Sequence, residues 1–168
     1  DVPITIPTTA NTYTAAAVET NANGYSTYTD ISGNILMKIK APAGVTIPAS
    51  AIKIKVGATA STYYNQYCGG SRNGGCFVRK TAGNALINRF WDIDKTQITG
   101  GTISSATPID LVFYFTQADF DAINTALTNN GQSVLSNFTD LQAYVVKNTA
   151  ALSDFPSPTD IGNYRKVY

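Results

Sequence analysis

The alternation of apolar residues and lysines in two short runs restricts the fold of this chain more than any other feature. In residues 35–40 the odd-numbered positions are all apolar, whereas Lys38 and Lys40 hold even-numbered ones. Residues 52–56 repeat the pattern, with lysine at both odd-numbered positions. Side chains two residues apart lie on one face of a β-strand, so both runs predict strands with one buried face and one solvent face.

The segment that joins the two runs, residues 41–50, contains Pro42, Gly44 and Pro48. These residues are typical of a loop rather than of a tight hairpin turn. If the two strands pair across this loop, their four lysines line one solvent face. There the lysines would solvate the sheet and protect its edge, an interpretation that we prefer to a site for acidic ligands.

Other segments share the composition of strands. We predict strands at Thr5–Ile6 and at residues 13–18, 77–79, 85–91, 109–115 and 141–147, with a short final run that ends at Tyr168. The predicted core consists of inward-facing apolar residues of the strands and of one helix: Ile35, Met37, Ile39, Ile52, Ile54, Ile87, Leu111, Phe113, Phe115, Phe120 and Ile123. If Leu111 is fully buried, Leu111→Ala should cost about 2 to 5 kcal/mol.

One α-helix is predicted around residues 117–128. Thr116 is a good N-cap, and Asp119 stands three residues later, as in a capping box. Apolar residues then recur at spacings of three and four, which is the helical period. The sequence Asn129-Asn130-Gly131 should end the helix.

Length and pattern together predict the fold class. The 168 residues suit a single module over residues 1–168. Many short strands, frequent Gly and Pro turns and one short helix predict a mainly all-β chain, an antiparallel β-sandwich of the Ig-like or jelly-roll kind. A closed barrel is the alternative.

The polar surface is uncharged to an unusual degree. Charged residues make up 14% of the chain, whereas it holds 22 Thr, 11 Ser and 14 Asn. This balance is typical of an extracellular β protein. The net charge of +1 offers no clustered basic excess, so we expect no nucleic acid as partner. No apolar run approaches the length of a membrane span, and we expect no membrane insertion.

Histidine is absent from the sequence. Ser-His-Asp and Cys-His catalysis and His-ligated metals are therefore excluded. Catalysis by a carboxylate pair, as in glycosidases, needs no histidine, but the chain has ten Asp and only one Glu, Glu19. We therefore predict that the chain is not an enzyme.

The two cysteines, Cys68 and Cys76, enclose a run with four glycines. A metal site would need two further ligands, and a redox pair is more often spaced by two residues. We therefore predict a structural disulfide, which implies an oxidising compartment and a secreted or cell-surface location.

An aromatic stretch precedes this loop and is the predicted glycan-binding site. Tyr63, Tyr64 and Tyr67 could stack on sugar rings, while Arg72 and Asn73 at the loop tip could hydrogen-bond to hydroxyls. A neutral polysaccharide or a cell-surface glycan is the expected ligand. The alternative is that these tyrosines only cover the sheet through cross-strand packing.

The segment that holds the only tryptophan also ends in two acidic residues. Trp91 is either a surface on which a sugar ring stacks or, as we prefer, a residue that fills the sandwich core. Asp92 and Asp94 would point the same way on a continuing strand and could hold calcium, the one cofactor that the sequence suggests. The alternative is a pair of surface aspartates at a strand end.

Five segments occur in an order that resembles a known module: Asp1–Ile4, Asn23–Tyr28, Ile35–Lys40, Asn88–Ile93 and Val112–Phe120. Together they are similar to an accessory module of large secreted and cell-surface proteins of Bacteroidetes. In that module an NRYWDI-like strand precedes a FYYTDADF-like strand and a short helix. The resemblance implies a β-sandwich beside adhesin repeats or polysaccharide-degrading domains, export by the type IX route, and no catalytic motif.

These observations lead to three hypotheses. The first is a non-catalytic extracellular accessory or adhesive module that works beside the flanking domains of a larger protein. The second is a carbohydrate-binding module attached to a polysaccharide-degrading enzyme. The third, from a different class, is a carboxylate-dependent glycosidase.

Overall fold

The structure is a computed structural model that describes residues 4–57, 62–64, 84–104, 106–141, 144–146 and 164–166. By its internal contacts the chain divides into two compact units. The first comprises Asp1–Ala58 and Arg89–Phe115, and the second comprises Thr59–Asn88 and Thr116–Tyr168. A single module over residues 1–168 stays a prediction.

The described residues form thirteen strands and one α-helix. In chain order these are β1 (Asn11–Thr14), β2 (Ala17–Thr20), β3 (Ser26–Thr29), β4 (Ile35–Lys40), β5 (Val45–Thr46), β6 (Ile52–Val56), β7 (Thr62–Tyr64), β8 (Asn84–Leu86), β9 (Arg89–Ile93), β10 (Thr99–Gly100), β11 (Asp110–Phe113), α1 (Gln117–Asn129), β12 (Tyr144–Val146) and β13 (Tyr164–Lys166). Short 3-10 helices cover Ala49–Ala51, Lys95–Gln97 and Phe138–Asp140. Among these helices, none combines the length and the apolar character needed to cross a membrane.

The first unit is a sandwich-like arrangement of antiparallel sheets. One sheet has the strand order β11-β4-β3-β2, a second has the order β1-β6-β9, and β5 pairs with β10 in a third. Buried apolar residues of the two larger sheets form one core, in which the least exposed side chains are Leu36, Met37, Ile39, Ile52 and Ile54. The predicted mainly-β sandwich is thus confirmed.

The chain passes from one large sheet to the other between β1 and β2. The sequence pattern predicts one strand over residues 13–18, whereas the structure has two strands that belong to different sheets. Ala15 N donates to Ile52 O over 2.9 Å, and the next amide, Ala16 N, donates to Thr29 O over 2.8 Å. The buried Ala15 leaves room for this crossing because its side chain is a single methyl group.

A β-bulge in β4 changes the predicted core. Tyr28 pairs with Met37 but Thr29 pairs with Ile35, so Leu36 is the extra residue on β4. A bulge interrupts the alternation locally, and both Leu36 and Met37 are fully buried. Ile35, which we predict to be buried, is only half-buried.

Trp91 links the two large sheets at this bulge. Its indole Nε1–H donates to the carbonyl oxygen of Leu36 over 3.2 Å. Its ring packs at a tilt against Phe113, with 4.8 Å between the ring centroids. Trp91 is half-buried against the core, which agrees with the predicted core role.

The remaining core predictions are confirmed in part. Burial is confirmed for Met37, Ile39, Ile52, Ile54, Phe120 and Ile123. Four residues that we predict to be buried are half-buried: Ile87, Leu111, Phe113 and Phe115. Leu111 and Phe113 lie on β11, an edge strand of the four-stranded sheet, and pack against the core from there. Ile87 and Phe115 lie outside the strands.

The pairing suggested for the two lysine-bearing runs is wrong. β4 pairs with β3 and β11, whereas β6 pairs with β1 and β9. The connection that contains β5 and the Ala49–Ala51 turn carries the chain to the other sheet, so the four lysines lie on two different outer faces. Thr5–Ile6 is also not a strand, although Thr5 O accepts a hydrogen bond from Ile35 N over 2.8 Å.

Arg89 is buried at the start of β9, with 5% of its surface exposed. It pairs with Val56, which places it on the core side of its sheet. Its Nη1 donates to the carbonyl oxygen of Pro7 over 2.7 Å. The hydrogen bond therefore ties the segment before β1 to the sheet.

The second unit contains α1 and two small antiparallel pairs, β7–β8 and β12–β13. The predicted capping box is confirmed: Thr116 Oγ1 accepts from Asp119 N, and Asp119 Oδ2 accepts from Thr116 N over 2.7 Å. Phe120, Ile123 and Leu127 are buried. The helix ends at Asn129, and Gly131 takes the positive φ of 67° that favours glycine.

Candidate functional site

The outer face of the four-stranded sheet brings together two aromatic and four charged side chains of the described residues. Strand pairing sets Lys38 opposite Thr27 and Val112, and Lys40 opposite Asp110. These residues have the opposite parity to the buried Met37 and Ile39, so they point away from the core. We call this surface the lysine–tyrosine face, which consists of Glu19, Tyr25, Thr27, Lys38, Lys40, Asp110, Val112 and Tyr114.

Each lysine of the face lies over a tyrosine ring. The Nζ of Lys40 is 5.6 Å from the centroid of the Tyr25 ring, and the Nζ of Lys38 is 5.9 Å from that of Tyr114. At these distances the ammonium group is attracted by the negative face of the ring. The contacts hold two flexible side chains in defined positions on an otherwise open surface.

A tight turn between β2 and β3 positions Tyr25. The Asn21 Oδ1 accepts hydrogen bonds from the backbone N–H of Asn23 and of Tyr25, both over 3.0 Å. Gly24 in this turn has a φ of 79°, which favours glycine. The Cε of Lys40 passes 3.6 Å from the point where a Cβ would stand on Gly24, so the turn also supports the lysine stem.

The two tyrosines stand at opposite corners of the face. Tyr25 directly precedes β3 and lies level with Lys40, whereas Tyr114 directly follows β11, level with Leu36. With about 3.4 Å per residue and about 4.8 Å between strands, their backbones lie about 17 Å apart. The diagonal between them passes over both lysines.

The charges of the face are balanced. Lys38 and Lys40 supply two cations, and Glu19 and Asp110 supply two anions, of which Asp110 lies directly opposite Lys40 on the neighbouring strand. Thr27 adds a hydroxyl between them. The face therefore offers both donors and acceptors with no excess of either charge.

The predicted glycan site lies mostly beyond the described part of the chain. Tyr63 and Tyr64 lie in β7, where they pair with Ala85 and Asn84 of β8. Tyr67, Arg72 and Asn73 lie outside the described residues, as do Cys68 and Cys76. The aromatic site and the disulfide stay predictions.

Asp92 and Asp94 have different surroundings. Asp92 lies opposite Lys53 on the outer face of the three-stranded sheet. Asp94 caps the 3-10 helix at Lys95–Gln97: its Oδ1 accepts from Thr96 N and Thr96 Oγ1, and its Oδ2 accepts from Gln97 Nε2. Within the described ranges no three His, Cys, Asp or Glu side chains form a group that could hold a metal ion. Calcium at this pair stays a prediction.

The pKa values of Asp92 and Asp94 shift in opposite directions. Burial raises the pKa of Asp92, with the Asp94 charge adding to this effect and Lys53 opposing it. Hydrogen bonds from Thr96 and Gln97 lower the pKa of Asp94. Ionised Asp94 is thus favoured by the fold, whereas ionised Asp92 is disfavoured.

We expect the variants Asp94→Asn and Asp92→Asn to change the pH dependence of stability with opposite signs. Asp94 contributes stability above its ordinary pKa of 3.8, and this contribution is lost as the pH falls through the lowered value. Asp92 contributes stability in acid that is lost as the pH rises through its raised value. At neutral pH, Asp94→Asn should therefore lower the melting temperature, and Asp92→Asn should raise it. Parallel melting curves at several pH values check this, and indistinguishable profiles would contradict it.

The sequence already indicates part of the lysine–tyrosine face, although the predicted glycan site contains none of its residues. Tyr114 has the same parity as Val112 and Asp110, opposite to the apolar positions of its strand, so parity alone assigns it to the solvent face. Tyr25 and Lys40 are fifteen residues apart in the sequence. Their contact depends on the strand order, which the sequence pattern does not give.

Comparisons with known proteins return no match: no family model, no curated protein and no solved structure matches the chain.

Proposed function

We propose that this chain is a non-catalytic accessory or adhesive module of a larger secreted or cell-surface protein, and that the lysine–tyrosine face is its binding surface. The observation that carries the proposal is the pair of tyrosine rings on the solvent side of the four-stranded sheet, each with a lysine ammonium over it. A sheet is a rigid platform, and side chains that are fixed before binding lose little entropy when a partner arrives.

The position of the acidic residues supports binding over hydrolysis. On the face, Glu19 lies on β2 and Asp110 on β11, which are the two edges of the four-stranded sheet. Strand spacing places them about 16 Å apart. The carboxyl pair of a glycosidase is about 5 to 9.5 Å apart. These two residues are therefore too distant to act together on one glycosidic bond.

The extracellular part of the proposal depends on composition. The low charge, the abundance of Thr, Ser and Asn, and the two cysteines agree with a secreted chain. Kinship with the accessory module of Bacteroidetes is likewise part of the proposal, on the resemblance of its segments.

Retention on defined extracellular polymers tests this function. The protein would be passed over immobilised cellulose, xylan, mannan, chitin, mucin and collagen. The double variant Tyr25→Ala/Tyr114→Ala is compared with wild type. Phe90→Ala is the matched control, because Phe90 lies opposite Lys55 on the outer face of the other large sheet. We expect at least one polymer to retain wild type and the control but not the double variant.

Two results would overturn the proposal. The first is that folded wild-type protein is retained on none of these polymers. The second is that the double variant is retained as well as wild type on every polymer that binds. Release of reducing sugar from any of the polysaccharides would instead favour the glycosidase hypothesis.

A further inference from the structure

We infer that the ligand of the lysine–tyrosine face is a neutral polysaccharide, which lies in extended form along the diagonal from Tyr25 to Tyr114. This inference rests on the proposed function and names its ligand class. The residues that it assigns to the glycan differ from those of the glycan site predicted from the sequence.

The two aromatic corners provide the apolar part of the recognition. A pyranose ring has an apolar C–H face that packs on a tyrosine ring. Tyr25 and Tyr114 are both half-buried, so each residue is anchored in the surface and keeps part of its surface exposed. Their separation of about 17 Å suits several consecutive sugars of an extended chain rather than one monosaccharide.

The polar groups between the tyrosines suit hydroxyl groups. A sugar hydroxyl both donates and accepts, and along the diagonal it meets the donors Lys38 and Lys40, while the acceptor Asp110 lies to one side, opposite Lys40. Thr27 can do either. A ligand with many hydroxyls can therefore satisfy every polar group on the diagonal.

The charge balance favours a neutral polymer over an acidic one. Asp110 lies directly opposite Lys40, so a ligand carboxylate that approaches this lysine also approaches a negative charge. Glu19 adds a second negative charge on β2. A uronic-acid polymer would gain from two lysines and lose from two carboxylates, whereas a neutral polymer meets no repulsion.

The turn at Gly24 reduces the entropy lost on binding to Tyr25. The Asn21 Oδ1 accepts from Tyr25 N, which fixes the backbone of this tyrosine, and the stem of Lys40 packs against the same turn. A sugar that replaces the lysine ammonium over the ring therefore meets a tyrosine whose backbone is already ordered.

Affinity electrophoresis tests the inference with soluble polymers of each charge class. The neutral polymers are mixed-linkage β-glucan, arabinoxylan and galactomannan, and the acidic ones are polygalacturonate and alginate. Each is run with wild type, Tyr25→Ala, Tyr114→Ala, Tyr25→Phe, Lys38→Gln/Lys40→Gln and the Phe90→Ala control. Circular dichroism verifies that every variant is folded.

We expect a neutral polymer to retard wild type, and its retardation should persist at high salt. Each Tyr→Ala variant should weaken binding about tenfold, the change that fits the loss of one aromatic contact. Tyr25→Phe should keep most of the binding, because the ring rather than the hydroxyl makes the contact. Phe90→Ala should match wild type.

The contrary outcomes separate this inference from the proposed function. Retardation by acidic polymers alone, abolished by salt and by the double lysine variant, would overturn the neutral ligand and leave the binding face in place. In the retention experiment, binding to collagen alone, lost in the double tyrosine variant, would overturn a polysaccharide ligand and also leave the binding face in place. Binding to no polymer would overturn both.

Discussion

Leu36→Ala should lower the free energy of unfolding by about 2 to 5 kcal/mol, the loss typical of a leucine removed from a closed core. Leu36 has 0% of its surface exposed and packs in the cluster shared by both large sheets. The bulge in β4 is the reason why a residue of the solvent parity reaches this position. Urea denaturation followed by Trp91 fluorescence measures the effect, because Trp91 bonds to the Leu36 carbonyl.

Leu111→Ala is the matched control for this variant. Leu111 has the same side chain and lies on the neighbouring strand β11, but it is only half-buried. Its replacement should therefore cost clearly less than that of Leu36, below the range that full burial of Leu111 would predict. An equal or larger loss for Leu111 would show that the bulge does not place Leu36 in the core.

Gly100→Ala should destabilise the first unit by several kcal/mol, because its site rejects a methyl group for two reasons. Gly100 has a φ of 79°, which costs an L-residue about 1 to 2 kcal/mol. In addition, a Cβ at this position would overlap the carbonyl oxygen of Gly44, a backbone atom that cannot rotate away. The variant must therefore separate β10 from β5.

Gly33→Ala isolates the first of these two effects. Gly33 has nearly the same φ, 81°, but no atom of the described residues lies within 4 Å of the point where its Cβ would stand. It should show only the backbone cost of about 1 to 2 kcal/mol. The difference between the two melting curves measures the steric conflict with Gly44. If both variants lose the same stability, the close approach of the two glycine backbones is refuted.

Local patterns in the sequence predict the helix and the strands whose formation depends on residues close together in the chain. The helix follows from Thr116, Asp119 and the spacing of Phe120, Ile123 and Leu127, all within twelve residues, and its capping box is present as predicted. The strand β6 follows equally from its own alternation, which the structure retains over all five residues.

The features that the pattern misses depend on distant partners. The bulge at Leu36 is set by the pairing of β4 with Tyr28 and Thr29 of β3, and the six residues of β4 alone contain no mark of it. The break at Ala15–Ala16 is set by acceptors on two sheets, Ile52 O and Thr29 O. For the same reason, parity assigns Tyr114 to the solvent face, but it does not predict the contact of the Tyr114 ring with Lys38, which depends on the pairing of β11 with β4.

The chain crossing at Ala15–Ala16 has a consequence for how the first unit comes apart. β1 is held by β6 in one sheet and β2 by β3 in the other, with two residues between them. Neither edge strand can leave its sheet by more than a few ångströms without pulling on the other. The two sheets therefore share a short covalent link at their edges, and we expect thermal loosening of either edge strand to loosen the other as well.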